Sequence, residues 1–164
     1  MRTLYLLRHA KSSLQDATIR DFDRPLTKRG REAAEAVGHA VAAEQLSSAL
    51  VLSSPAVRAR ETTEIMLHSS KLAAEPRFDP QIYEADLSAL LKTLGQAEDH
   101  RDVVILVGHN PGMETLVRFL TGEVRAIPAA ALAKIILEGN SWRALTGSEG
   151  RLEWLITPED SFNA

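Results

Sequence analysis

Three short runs in this chain, Thr3 to Leu7, Ala49 to Leu52 and Val103 to Val107, are apolar without alternation, and they constrain its fold more than any other feature. A strand with one wet face alternates apolar and polar residues; one that is apolar throughout is covered on both faces, as inside a parallel sheet. The residues between the runs have helical periodicity. Ala33, Ala34, Val37, Ala40 and Val41 recur on one face after Thr27, a suitable N-cap, although Gly38 weakens that helix. Leu87, Leu90, Leu91 and Leu94 form a second stripe with Gly95 near its end. The order strand, helix, strand, helix, helix, strand, helix predicts an α/β domain whose helices cover the sheet. Beyond it, Ala131 to Leu137 and Leu152 to Ile156 read as two strands of a hairpin added to the sheet edge. The stretch "EPRFDPQIYEAD" carries two prolines that resist a central strand or a helix interior. No repeat, low-complexity tract or linker divides the chain, so residues 1–164 are expected to form one domain.

With 19 Lys and Arg against 22 Asp and Glu, the formal net charge is −3. No broad surplus of positive charge exists to hold nucleic acid or an anionic membrane, so any anion site has to be local. Cysteine is absent, which excludes disulfides, thiolate metal sites and a cysteine nucleophile and favours a reducing compartment. The opening "MRTLYLLRHA" has too short an apolar run for a signal peptide, and no segment approaches the length of a membrane span. A cytoplasmic protein that binds neither nucleic acid nor membrane is the expectation.

Each apolar run ends in polar chemistry. The first stops at Arg8-His9. The second leads into "SSPAVRARET", where Ser54 can cap a helix with Pro55 in its first position, which places Arg58 in the first turn. The third ends in "GHNPGM": His109 stands at the strand's carboxyl end, Asn110 can cap, and Pro111 suits the first helical position. Parallel strands deliver these residues to one edge, where open α/β sheets bind their ligands. Two arginines, two histidines and helix N-termini gathered there suit a phosphoryl dianion, since guanidinium forks take its oxygens in pairs. Taken singly, each residue has a plainer reading: Arg8-His9 as a solvated strand end, Arg58 as a helix-surface partner of Glu61, His109 as part of a turn. Their coincidence at three strand ends is what points to a site. His39, His68 and His100 have no such company and read as surface or structural residues.

The segments "LLRHAKS", "DRPLTKRG", "LSSPAVRARET" and "VGHNPGM", in that order and spacing, resemble the motifs of the histidine phosphatase, or phosphoglycerate mutase-like, superfamily. The resemblance is greatest to its small SixA-type phosphohistidine phosphatases and runs from Leu4 to the final strand. It implies a three-layer α/β/α fold, with a mostly parallel central sheet and helices on both faces. It also implies a phosphatase that needs no metal or other cofactor, in which His9 is the phosphate-accepting nucleophile and Arg8, Arg58 and His109 complete the phosphate pocket. Elementary chemistry agrees with these roles. A neutral imidazole attacks phosphorus while its other nitrogen is held by an acceptor, and arginines neutralise the oxygens in the transition state. Glu84 stands where phosphate-ester members keep an acid for the leaving oxygen, and is either that acid or a solvated loop carboxylate. Arg24, in a motif typical of the SixA type, either contacts substrate or pairs with Asp21 or Asp23, and Asn110 is a further candidate contact. Ala10 stands where the wider superfamily often has glycine, and Gln15 near where many relatives have asparagine.

About fifty residues separate Arg58 from His109, and a helix, an irregular stretch and another helix use them, leaving little chain for a lid. An unlidded pocket admits a large substrate. The expected substrate is therefore a phosphorylated protein side chain, phosphohistidine first. The alternatives are a phosphatase for small esters such as sugar phosphates or nucleotides and, outside enzymes, a catalytically weak phosphate-binding module. Trp142, between the last two strands, is either an interface residue or a core aromatic.

Overall fold

In the computed structural model, which describes residues 1–14 and 16–158, the three apolar runs are strands β1 (Arg2–Arg8), β2 (Leu50–Ser53) and β4 (Val103–Gly108). Gln15 lies outside the described residues. β4 sits between β1 and β2 and pairs parallel with both. Leu4 to Leu7 and Val104 to Val107 are buried, as their unbroken apolarity requires. The irregular stretch contributes β3 (Arg77–Phe78), a two-residue strand parallel to β2 at the sheet edge. Its prolines flank this strand: Pro76 precedes it, and Pro80 opens a short 3-10 turn. β5 (Leu132–Leu137) and β6 (Gly150–Ile156) form the expected hairpin, β5 antiparallel to β1 and β6 antiparallel to β5, with an irregularity between Lys134 and Ile135. The sheet order is β3-β2-β4-β1-β5-β6.

Alternate residues of the same strands feed two opposite layers. Tyr5, Leu7, Val51, Ile105 and Val107 pack with α1 (Lys28–Ala43) and α2 (Val57–Ser70). Leu4, Leu6, Leu52, Val104 and Leu106 pack with α3 (Leu87–Leu94) and α4 (Gly112–Thr121). This is the three-layer arrangement. Thr27 caps α1, its Oγ1 accepting the Gly30 N–H at 3.0 Å. Gly38, which weakens α1 in isolation, is the contact point of α1 and α2: a Cβ there would lie 1.6 Å from Ser69 Oγ and 2.7 Å from the Met66 carbonyl oxygen.

Two helix starts differ from the expectation. α2 begins at Val57 with Ala56 as its N-cap, because Ser54 spends its Oγ on the Ala56 N–H (3.2 Å) in a turn ahead of the helix. Arg58 nevertheless remains in the first turn. α4 begins at Gly112, after a cis Asn110–Pro111 peptide. Asn110 caps it from one residue further out, Oδ1 accepting the Glu114 N–H at 3.3 Å. Trp142 is a core aromatic, 1% exposed, its indole N–H donating to the Arg101 carbonyl at 2.7 Å. No helix among the described residues is long and apolar enough to cross a membrane.

Candidate active site

The backbone ladder itself brings the three strand ends together. Past β1, the His9 N–H donates to the Gly108 carbonyl (3.1 Å); past β2, the Ser54 N–H donates to that of Val107 (3.0 Å). Arg8, His9, Arg58 and His109 thus line one cavity of about 340 Å3 at the carboxyl edge, with Arg24 and Asn110 also in its wall. The His9 and His109 rings are 5.1 Å apart, and Arg58 Nε approaches His9 Nε2 at 3.4 Å. Arg58 does not pair with Glu61, which accepts instead from the Leu26 N–H (2.9 Å) and from Arg31 (3.0 Å). Thr62 ties the two segments together, its Oγ1 accepting the Ala10 N–H (2.9 Å) and donating to the Arg58 carbonyl (2.7 Å).

His9 is oriented by its own neighbour. Nδ1 lies 2.8 Å from the Ala10 carbonyl oxygen; a carbonyl accepts and cannot donate, so the proton sits on Nδ1 and Nε2 carries the lone pair, which accepts the long bond from Arg58 Nε. Burial, reinforced by the charges of Arg58, Arg8 and Arg24, lowers the His9 pKa to about 4, against the raising effect of the Ala10 bond. Burial and then the proximity of His9 and Arg58 lower that of His109 to about 3. Both rings are therefore neutral near pH 7. His109 Nε2 lies 2.7 Å from Ser54 Oγ. That hydroxyl also accepts the Ala56 N–H and keeps a second lone pair, so either group can donate in the His109–Ser54 bond. His109 Nδ1 and Arg8 Nε are buried without a hydrogen-bond partner among the described residues, at a cost of about 1–3 kcal/mol each.

Asp21, named from sequence merely as a partner for Arg24, is a hub. Its Oδ1 accepts from Arg24 Nε and Nη2 (3.1 and 2.7 Å). Oδ2 accepts from Arg58 Nη2 (3.0 Å) and the Tyr83 hydroxyl (2.6 Å), and its backbone oxygen accepts from Arg58 Nη1 (2.6 Å). The Tyr83 bond foremost, with those from Arg24 and Arg58, holds the Asp21 carboxyl well below the usual carboxylate range; the Asp21 bond, with burial, pushes the Tyr83 phenol up to about 12. Tyr83 also sets its ring edge-on to His109, 5.5 Å between centroids. Arg24 pairs with Asp21 and also lines the cavity.

Glu84 is exposed, its backbone is left-handed (φ 54°), and it makes no hydrogen bond to the described residues of the pocket; in the same motif, Tyr83 is the residue that meets His109. Asn110 reaches the cavity wall, but its Nδ2 donates to Glu114 Oε1 (2.9 Å) and the Ile127 carbonyl (2.8 Å), binding α4 to the following loop. Ser54, Asp21 and Tyr83 escape a reading of strand ends; for Asp21, the acid three residues before Arg24 in "DFDRP" was the available signal. His39 and His68 lie exposed on α1 and α2. Among the described residues, no group of three or more His, Asp or Glu is placed to hold a metal ion.

The model of the histidine phosphatase superfamily (branch 1) matches residues 4–101. The chain belongs to that superfamily. This histidine phosphatase is 33% identical to an uncharacterized chloroplastic protein of Arabidopsis thaliana, over 98% of its own length and 79% of the relative's. Among solved structures, it is similar to a protein of Nakamurella multipartitia provisionally designated phosphohistidine phosphatase SixA, at TM-score 0.84 and 26% identity over 96% of both chains. A second protein with that provisional designation, from Agrobacterium tumefaciens, matches at TM-score 0.81 and 29% identity, over 96% of this chain and 98% of the other. The histidine phosphatase is thus a phosphatase of the SixA type with the phosphoglycerate mutase-like fold. A mycobacterial glucosyl-3-phosphoglycerate phosphatase shares the fold alone, at TM-score 0.65 and 15% identity over 93% of this chain and 97% of that one.

Proposed function

We propose that this phosphatase removes phosphoryl groups from phosphohistidine on proteins, through a phospho-His9 intermediate. His9 Nε2 attacks phosphorus in line with the leaving nitrogen. The new P–N bond forms as the old one breaks, the electron pair returns to the leaving imidazole, and solvent supplies its proton. Arg8, Arg58 and His109 take the phosphoryl oxygens, so charge spreading in the transition state meets preorganised donors. Water then attacks phospho-His9, the P–Nε2 bond breaks with its pair returning to Nε2, and the water proton leaves with phosphate and solvent. The proton stays on Nδ1, donated to the Ala10 carbonyl, throughout.

The observation that carries the substrate is the position of the carboxyls. Asp21 is held ionised and Glu84 is exposed without a hydrogen bond to a pocket residue, which leaves neither set to protonate a leaving alkoxide. A labile P–N bond with a readily protonated leaving group makes no such demand. The chain between Arg58 and His109 is taken up by α2, β3 and α3, which supports an opening wide enough for a protein.

His9→Ala is expected to lose about 10⁴-fold or more in kcat and to form no acid-labile phosphoenzyme under rapid quench, while chelator leaves the wild type unaffected. Unchanged hydrolysis by His9→Ala would overturn the mechanism. Comparing kcat/KM for a phosphohistidine protein with that for sugar phosphates and nucleotides tests the substrate, and a strong preference for a metabolite would overturn it.

A further inference from the structure

Lys11 and Ala129 line the catalytic cavity and also a second cavity of about 330 Å3, which continues over Pro128 and Ala130 to Arg29 and Ala33 of α1. The two are therefore adjoining parts of one surface depression. Lys11 and Arg29 are exposed, and neither side chain has an ion pair or hydrogen bond to any described residue. Arg24 and Arg31 differ, being paired with Asp21 and Glu61. The backbone keeps Lys11 beside Arg29. The Lys11 carbonyl accepts the Thr27 N–H at 2.9 Å, and Gly30 packs so closely that a Cβ there would lie 2.2 Å from the same oxygen. Any side chain at residue 30 would push the two cations apart. The first turn of α1 contains no acid, and the helix dipole disfavours a cation there.

We propose that this second cavity is a subsite for an acidic side chain flanking the phosphorylated residue of a protein substrate. It rests on the reading that the substrate is a protein. With phosphorus at His9 Nε2, the substrate chain has to leave the pocket across its rim, and Lys11 and Ala129 are the rim residues common to both cavities. Ala33, Pro128, Ala129 and Ala130 offer an apolar wall to the methylenes of a glutamate, while Arg29 and Lys11 meet its carboxylate. Charge complementarity of this kind selects among substrates more than it adds raw affinity.

The test uses two phosphohistidine peptides identical except for Glu or Gln beside the phosphorylated residue, the same pair built on phosphoserine, and p-nitrophenyl phosphate, which has no second anion. The wild type should favour the Glu peptide by about fivefold in kcat/KM, chiefly through KM, with the advantage fading as salt rises. Arg29→Ala should reduce that preference and Arg29→Glu should abolish or invert it. Hydrolysis of p-nitrophenyl phosphate should be unchanged in both, which also reports an intact fold. Peptides cleaved with the same Glu preference in wild type and Arg29→Glu, or with none in wild type, would overturn the subsite. Cleavage of phosphoserine peptides alone, with the Arg29-dependent preference present, would uphold the subsite and overturn the phosphohistidine reading.

Discussion

Asp21 acts on the phosphate pocket in two opposed ways. Its carboxylate and backbone oxygen hold both terminal nitrogens of Arg58, leaving Nε turned to His9, which fixes the arginine before substrate arrives. The same negative charge repels the dianion that Arg58 and Arg24 attract. Asp21→Ala should therefore split the kinetic constants. Inorganic phosphate should inhibit at about three- to tenfold lower concentration once the repulsion is gone, while kcat falls about tenfold because Arg58 is no longer preorganised for the transition state. Steady-state kinetics with phosphate as competitive inhibitor checks this; weaker phosphate inhibition together with lower kcat would show that Asp21 merely supports the fold. Arg8, His9, Arg58 and His109 were legible as candidates because each terminates or follows an apolar run. Asp21 and Tyr83 were not, because their role exists only where chain segments 37 and 62 residues apart meet.

The elements were legible to different degrees for identifiable reasons. Burial on both faces writes an unbroken apolar run into the sequence, and β1, β2 and β4 were found that way; β3, two residues long between prolines, leaves no such mark. The helix starts shifted where a side chain had a second duty, as with Ser54, which serves His109 as well as Ala56. Gly38 shows propensity and packing in conflict. By helix propensity alone, Gly38→Ala would stabilise α1 by about 1 kcal/mol. Packing reverses the sign, because the new methyl meets the Met66 carbonyl at 2.7 Å as well as the Ser69 hydroxyl, which can rotate away. Because a backbone oxygen is struck, overpacking falls in the upper part of its usual range, about 2–3 kcal/mol, and outweighs the gain. A net loss near 1–2 kcal/mol, or about 2–8 °C in Tm for a chain of this size, is expected in thermal melts. A rise in Tm would mean that α1 and α2 separate without cost.

At the scale of the whole molecule, the buried histidine pair couples folding to pH. In the unfolded chain a histidine takes up a proton near pH 6.5, whereas in the folded chain His9 does so at about 4 and His109 at about 3. Between these values the unfolded state binds more protons, so stability is complete above pH 6.5 and declines as pH falls. For His9 the loss is of order 3 kcal/mol by pH 4. Asp21, whose carboxyl is depressed rather than raised, loses its contribution only below the ordinary carboxylate range, so histidine dominates between pH 6.5 and 4.5. Phosphate should oppose the decline. It binds the folded chain alone, which raises Tm by mass action, and its charge beside both rings makes their protonation easier, drawing their pKa values up toward those of the unfolded chain. Melts from pH 7.5 to 4.5 should therefore show Tm falling with acidity in buffer without phosphate and falling less in its presence. His9→Asn should flatten the phosphate-free profile. Imidazole NMR would show the same linkage directly: rings silent above pH 5 without phosphate, and titrating at higher pH with it. Rings that titrate near 6.5 in the free protein would refute the buried neutral pair.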